Sequence, residues 1–296
     1  MTRHNIHNHD HIHQTSNNIR IAFFLNLGFT LFEIVGAIWT NSLAILSDAV
    51  HDLGDSFSLG MAWYLERYAQ KGEDQRFSYG YRRFSLLGAL INAIILVLGS
   101  FFVLYRAIPR LMEPESVDAP GMVLFAIIGI LVNGLAVFRL QGSKSMNAKV
   151  VAWHLLEDVL GWVAVLIVGI VLLFVDVPIL DPILSLLIAI YILYNVIRNL
   201  RKTVGLFLQA VPESVEISQI KDQLQAVEHV QSTHHTHIWS LDGEHHVLTT
   251  HVVLDETISK EDVLCVRTEI KDVLATYDFS HITVEIEFGD DDCAMA

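Results

Sequence analysis

Six apolar stretches dominate this sequence, at roughly Ile19–Thr40, Leu43–Tyr64, Phe84–Leu104, Met122–Leu140, Val150–Val175 and Ile179–Ile197. Each approaches the ~20 residues with which a helix, rising ~1.5 Å per residue, crosses a ~30 Å hydrocarbon core. A chain with six such runs is expected to fold as a membrane all-α six-helix bundle. The sixth run is short and carries Asp181-Pro182 near its start. A secretory signal peptide is not expected, because the first run is too long for an h-region and follows a His-rich rather than a basic segment.

Lysine and arginine placement sets the orientation. Thirteen fall on one side: Arg3 and Arg20, then Arg67, Lys71, Arg76, Arg82 and Arg83, then Arg139, Lys144 and Lys149, and finally Arg198, Arg201 and Lys202. The other side has only Arg106 and Arg110. Both termini are therefore expected in the cytoplasm. The short loops favour a bacterial inner (plasma) membrane.

Charge then divides the chain in two. Residues 1–205 hold 15 Lys/Arg and 15 Asp/Glu, whereas residues 206–296 hold 4 against 18, so the C-terminal part carries the whole net charge of −14. Neither part offers the cation excess that phosphates require, which argues against nucleic acid as a partner. With only Cys265 and Cys293 there is neither a disulfide framework nor a thiolate cluster. The expected division is a His-rich, disordered tail over 1–18, the helical bundle over 19–204, and a separate domain over 205–296.

An acidic side chain near the bilayer centre costs roughly 2.5–3.5 kcal/mol on insertion scales, so each one needs a reason. The second run contains Asp48, His51, Asp52 and Asp55, and the fifth contains His154, Glu157 and Asp158. Both hold a His four residues before an Asp, which puts each pair on one helical stripe. Counting from Asn41, His51 lies ~15 Å and Asp55 ~21 Å below the outer boundary. Counting outward from Lys149 across a ~30 Å core, Asp158 lies ~16 Å and His154 ~22 Å below that boundary. Two antiparallel helices thus bring His51, Asp55, His154 and Asp158 to similar depths. Two imidazoles and two carboxylates suit tetrahedral Zn²⁺, and the two negative charges offset the cation's own. Such pairs could instead be interhelical hydrogen bonds that hold the bundle together. Glu33, Asp48, Asp52 and Glu157 lie off the stripe or on its edge. They could line a watery path, pair with one another, or bind protons.

The segments Ser42–Asp55 (SLAILSDAVHDLGD), Phe77–Arg83 (FSYGYRR), Leu87–Ala93 (LGALINA) and His154–Asp158 (HLLED) resemble the cation diffusion facilitator family of zinc transporters. His234–Trp239 (HHTHIW) and Thr250–Asp255 (THVVLD) resemble that family's cytoplasmic domain. The resemblance covers nearly everything after the first ~18 residues. It implies a homodimeric, proton-coupled exporter of divalent cations, Zn²⁺ above all, with His51, Asp55, His154 and Asp158 as the transport site. Asp52 and Glu157 depart from the family pattern, which more often has neutral residues there, and Ser85 stands where a Glu is common.

The C-terminal part reads as a small α+β domain of ferredoxin-like order α-β-β-α-β. Helical spacing covers 213–226; strands 233–241 and 244–255 flank the turn pair Asp242-Gly243; an amphipathic helix covers 259–277; and His281–Phe288 alternates cleanly. His281 and Glu287 share the polar face of the last strand, and the family resemblance implies a second metal site at His234, His251, His281 and Glu287, with His237 a further candidate. Strict alternation sets His234 and His237 on opposite faces, and a patch of surface histidines could also be merely solvated. Cys265 falls in the apolar stripe of its helix and is expected in the core. The tail from His4 to His13 could capture metal or be dispensable. No enzyme is expected, because the chain lacks His-Glu-x-x-His and its two buried histidines are matched with carboxylates. A membrane-anchored metal sensor, whose membrane ligands are only structural, is the alternative to a transporter.

Overall fold

A computed structural model describes residues 6–69, 71–140 and 146–289. Six long helices come first: α1 (Ile6–Thr40), α2 (Leu43–Ala69), α3 (Phe84–Met112), α4 (Ala119–Leu140), α5 (Met146–Phe174) and α6 (Leu180–Phe207). Five contain stretches long and apolar enough to cross a membrane: Arg20–Thr40, Phe84–Met112, Ala119–Arg139, Ala152–Phe174 and Leu180–Phe207. The exception is α2, whose otherwise apolar course is broken by Asp48, Asp52 and Asp55. Large apolar side chains such as Ile38, Tyr105, Phe138 and Phe174 remain exposed around the bundle, the surface a lipid environment requires.

By its contacts the chain forms two compact units, Met1–Arg67 with Gly88–Leu200, and Tyr68–Leu87 with Arg201–Ala296. The α2–α3 connection thus groups with the C-terminal domain, which differs from the simple division at residue 204. Helix α1 also takes in residues 6–18, for which disorder was the expectation. That segment contains neither Gly nor Pro to stop a helix propagating back from the apolar run. Residues 1–5 lie outside the described ones, as do the side chains of 6–19 and the position of Cys293.

Within the first unit, Trp162 of α5 is fully buried among Ile45, Met122, Phe125, Ala126 and Val165. Phe29 meets its ring edge-on, with centroids 6.3 Å apart. Gly129 of α4 lies directly against the indole. At the opposite end of α2 from Ala69, the buried Asp181 of α6 caps the helix start. It accepts from Ser42 Oγ at 2.5 Å, from the Leu43 N–H at 2.8 Å and from the Ala44 N–H at 3.2 Å. These are the donors that a helix N-terminus leaves unsatisfied. Arg110 donates to the carbonyl and side chain of the preceding Asn41 and to Glu115. Asp181→Ala is expected to lower the stability of the full chain by about 1–3 kcal/mol, because buried donors lose their acceptor. Thermal unfolding in detergent measures this, and Asp181→Asn, which keeps one acceptor oxygen, should fall between the two.

The second unit holds α7 (Ile217–Gln225), β1 (Val230–Ser240), β2 (His246–Leu254), α8 (Lys260–Ala275) and β3 (Phe279–Phe288). The sheet order is β1-β2-β3, with β1 antiparallel and β3 parallel to β2. Helix α8 supplies the crossover that parallel pairing needs. One sheet face packs Ile238, Leu248, Val252 and Leu254 against Ile220, Leu224, Val266, Ile270 and Leu274. Gly243, at φ +103°, makes the tight turn between β1 and β2. Ser259 caps α8 by accepting from the Asp262 N–H. Cys265 is exposed, contrary to expectation, because the buried stripe of α8 runs through Val266, Ile270 and Leu274 and leaves it to one side.

In the α2–α3 connection the N–H of Phe77, the Tyr81 hydroxyl and the N–H of Arg76 all donate to Asp74 and hold its carboxyl below the usual carboxylate range. Tyr79 from the same connection meets Trp239 edge-on, with centroids 6.4 Å apart, and His281, with centroids 5.5 Å apart.

Candidate metal centres

Two groups of metal-ligating side chains stand out, one in each unit. In the first, ligand atoms of His51, Asp55 and His154 all lie within 4.8 Å of one another. The i,i+4 spacing on α2 puts His51 Nε2 3.7 Å from Asp55 Oδ2. From α5, His154 Nε2 reaches the same Asp55 oxygen at 2.7 Å. The two imidazoles meet edge-on, with centroids 5.6 Å apart. Zn²⁺ bonds of about 2.0–2.1 Å give a tetrahedron with edges of about 3.3 Å. The distances of 3.7 and 2.7 Å straddle that value, so sub-ångström shifts would admit an ion between the three atoms.

Asp158, the fourth residue on the matched stripes, is not part of this close group. It lines a cavity of about 320 Å³ together with His51, Asp48 and Glu157. Asp55 and His154, expected at nearly the same depth, make the direct contact, while His51 and Asp158, the shallower two, share the cavity wall. Behind the site, Asp48 and Asp52 are each 6% exposed, and Glu33 of α1 is fully buried.

In the second unit, His234, His251 and Glu287 form the other group, again with ligand atoms within 4.8 Å. They occupy three adjacent strands on the sheet face away from the core. His251 Nδ1 lies 2.7 Å from Glu287 Oε1, and His234 Nε2 lies 3.0 Å from Glu287 Oε2. Glu285 Oε2 stands 3.5 Å from His251 Nε2. Nitrogen and carboxylate donors in this number fit Zn²⁺.

His281 is not brought to this group. It shares the polar face of β3, as alternation required, but pairs with Val247, whereas Glu287 pairs with Val253. Six residues at ~3.3 Å each separate His281 from Glu287 by ~20 Å along the strand, too far to share one ion.

In place of His281, the structure supplies a residue that sequence alternation did not single out. Between the pairs His234–His251 and His237–Thr249, two residues of β1 oppose only Thr250, a β-bulge. His235 takes φ +45° there, and its ring centroid comes within 5.2 Å of that of His234 and 5.3 Å of that of His251. His237 is exposed beyond the bulge. His245 lies in the turn, its Nδ1 2.7 Å from Asp242 Oδ2. Burial pushes the Asp242 carboxyl up, but the N–H groups of His245 and Glu244 and the His245 ring outweigh it and bring the net shift below the ordinary value.

Comparison with known proteins covers both units. Residues 19–208 match the family model of the cation efflux transmembrane domain, and residues 212–288 that of the cation efflux protein cytoplasmic domain. The metal cation efflux system protein CzcD of Cupriavidus metallidurans is 32% identical over 96% of this chain and 90% of its own length. A Bacillus subtilis protein named as a cadmium, cobalt and zinc/H⁺–K⁺ antiporter is 31% identical over 90% of this chain and 87% of its own length. The zinc transporter ZitB of Escherichia coli is 32% identical over 95% of this chain and 92% of its own length.

Proposed function

The chain belongs to the cation efflux family of metal transporters, and on that premise we propose that it exports Zn²⁺ from the cytoplasm in exchange for protons, by alternating access. The observation that carries this reading is the meeting of His51, Asp55 and His154 from two membrane helices around one carboxylate oxygen. A dication there is offset in part by the Asp55 carboxylate, with Asp158 on the adjoining cavity wall, so neither ion nor acid is buried alone.

Proton coupling follows from the ligands. An imidazole binds metal only through an unprotonated nitrogen, so protons and Zn²⁺ compete for the same atoms. Without metal, His154 and Asp55 at 2.7 Å can hold a proton between them. Protons entering from the outer side release the ion there, and carrying them back inward resets the site. Lysine and arginine placement supports cytoplasmic termini, and with them a cytoplasmic C-terminal domain. In that domain His234, His251 and Glu287, with His235 beside them, would hold a resident Zn²⁺, and the subunits would pair as a homodimer. A metal at that position would report the cytoplasmic level to the transporter.

The test is reconstitution of the full chain in proteoliposomes with Zn²⁺ on the cytoplasmic face and acid on the other. Zn²⁺ is expected to move toward the acid side, and a protonophore should stop it. Flux driven by a K⁺ gradient but not by protons would replace the counter-ion. Absence of flux under every gradient would leave the metal-sensor alternative in its place.

A further inference from the structure

The α2–α3 connection carries charge that its own unit leaves unmatched. Residues 71–83 hold Lys71, Arg76, Arg82 and Arg83 against Glu73 and Asp74, while residues 206–296 of the same unit hold 4 Lys/Arg against 18 Asp/Glu. So large an excess of acid nearby offers ready partners. Yet none of the four cations forms an ion pair among the described residues, where the one Lys/Arg pair is Arg110–Glu115. Asp74 is already engaged by the N–H groups of Arg76 and Phe77 and by the Tyr81 hydroxyl. The connection meets the C-terminal domain through rings instead, Tyr79 standing edge-on to Trp239 and His281.

Packing fixes where these cations lie. Phe77 and Tyr81, with centroids 4.5 Å apart, both pack on Phe84, the first residue of α3. Tyr68, near the end of α2, stacks on the same Phe84 at 6.5 Å, and Lys71 Nζ lies 4.4 Å from the Tyr68 centroid. The connection is thus folded down onto two helix ends. Arg82 and Arg83 come immediately before the span Phe84–Met112, at the level where hydrocarbon gives way to headgroups. The exposed Tyr64 and Tyr68 on α2 are of the type that settles at that level. Lys71 and Arg76 are exposed, and Arg82 and Arg83 half-buried.

We propose that the α2–α3 connection binds anionic phospholipid, with Lys71, Arg76, Arg82 and Arg83 meeting the headgroup phosphates of the leaflet into which α3 inserts. Guanidinium and ammonium groups held at a membrane surface attract such lipids, and arginine forks match phosphate oxygens. The acidic domain alone would be repelled by the same surface. Through Tyr79 the bound connection tethers that domain to the bilayer. The proposal needs the membrane and neither the cargo nor the counter-ion, so a chain that moved no Zn²⁺ would leave it standing.

Binding of fluorescent phosphatidylglycerol to the full chain in neutral detergent tests this. At about fivefold for each basic residue, Arg82→Gln/Arg83→Gln is expected to raise the Kd more than tenfold. Lys71→Gln/Arg76→Gln, which alters only exposed side chains, should weaken binding similarly and covers the case in which the first pair fails to fold. Arg82→Lys/Arg83→Lys should keep most of the affinity. Added salt should weaken the wild type and affect the Gln variants much less. Lys260→Gln/Lys271→Gln removes two charges from α8 and should leave the Kd unchanged. Unaltered affinity in both connection variants, or an equal loss in the α8 variant, overturns the proposal. So does full competition by phosphatidylcholine, or by low-millimolar inorganic phosphate, which would make the patch a site for free anions.

Discussion

Replacing Asp55 with Ala is expected to abolish the proposed proton-driven Zn²⁺ flux. One oxygen of this residue stands 2.7 Å from His154 Nε2 and 3.7 Å from His51 Nε2, so its loss removes the point that both imidazoles share. Loss of a residue that merely supports a ligand typically costs 10–100-fold in metal affinity, so loss of a shared ligand should exceed about a hundredfold. Asp55→Asn should be nearly as damaging, since it keeps the shape and discards the charge that offsets the cation. The measurement is radioactive Zn²⁺ uptake into proteoliposomes under an acid gradient, with helical content checked by circular dichroism. Asp158→Ala, on the cavity wall rather than in the close group, should do less harm. Normal flux in Asp55→Ala would remove this residue from the cargo site altogether.

The second large effect concerns packing. A methyl group at Gly129 would overlap the five-membered ring of the Trp162 indole, which is fully buried and rigid. Flanked by Phe29, the indole cannot swing aside as a flexible aliphatic chain would. Gly129→Ala is therefore expected to cost about 1–3 kcal/mol, and Gly129→Leu more, by driving α4 from α5. Gly134, on the same helix, has nothing within 4 Å of a Cβ, so Gly134→Ala serves as the control and should be neutral or slightly stabilising. Thermal unfolding in detergent distinguishes the two substitutions. Equal melting temperatures would mean that α4 and α5 do not depend on this contact.

Much of this architecture could be read directly from residue order. The apolar runs marked where helices lie, because lipid imposes both their length and their composition. They did not mark where helices stop. Helix α2 continues to Ala69, α3 to Met112 and α6 to Phe207, beyond the apolar runs, since hydropathy registers the solvent and not the backbone. The His-x-x-x-Asp spacing singled out the two helical stripes from which His51, Asp55 and His154 come together, and simple rise per residue matched Asp55 with His154 in depth. Separation of Asp158 from the close group depends on how two helices rotate against each other, which spacing along either one does not encode.

Strand reasoning fared unevenly for a related reason. Alternation correctly put His281 and Glu287 on one face of β3, but it has no information about distance along the strand once pairing partners are unknown. Val247 and Val253, the respective neighbours of those two residues on β2, show how far apart they lie. The bulge at His235 and Thr236 is a further break in alternation, carried by a positive φ at a non-glycine residue, and no local pattern in His-His-Thr-His announces it. Asp242-Gly243 was legible because a positive φ at glycine is a strong chemical preference.

The cap that Asp181 places on α2 has a mechanical corollary. Held at Ser42, Leu43 and Ala44, and joined to Asn26 of α1 at Asp52 and Ser56, the helix would swing with α1 as a lever pinned at its start, and displacement grows with distance from the pin. His51 lies ~12 Å and Asp55 ~18 Å along that arm from Leu43, so a swing of about 10° moves the first by ~2 Å and the second by ~3 Å. The grip on a cation between Asp55 and His154 would open well before the anchored end had moved at all.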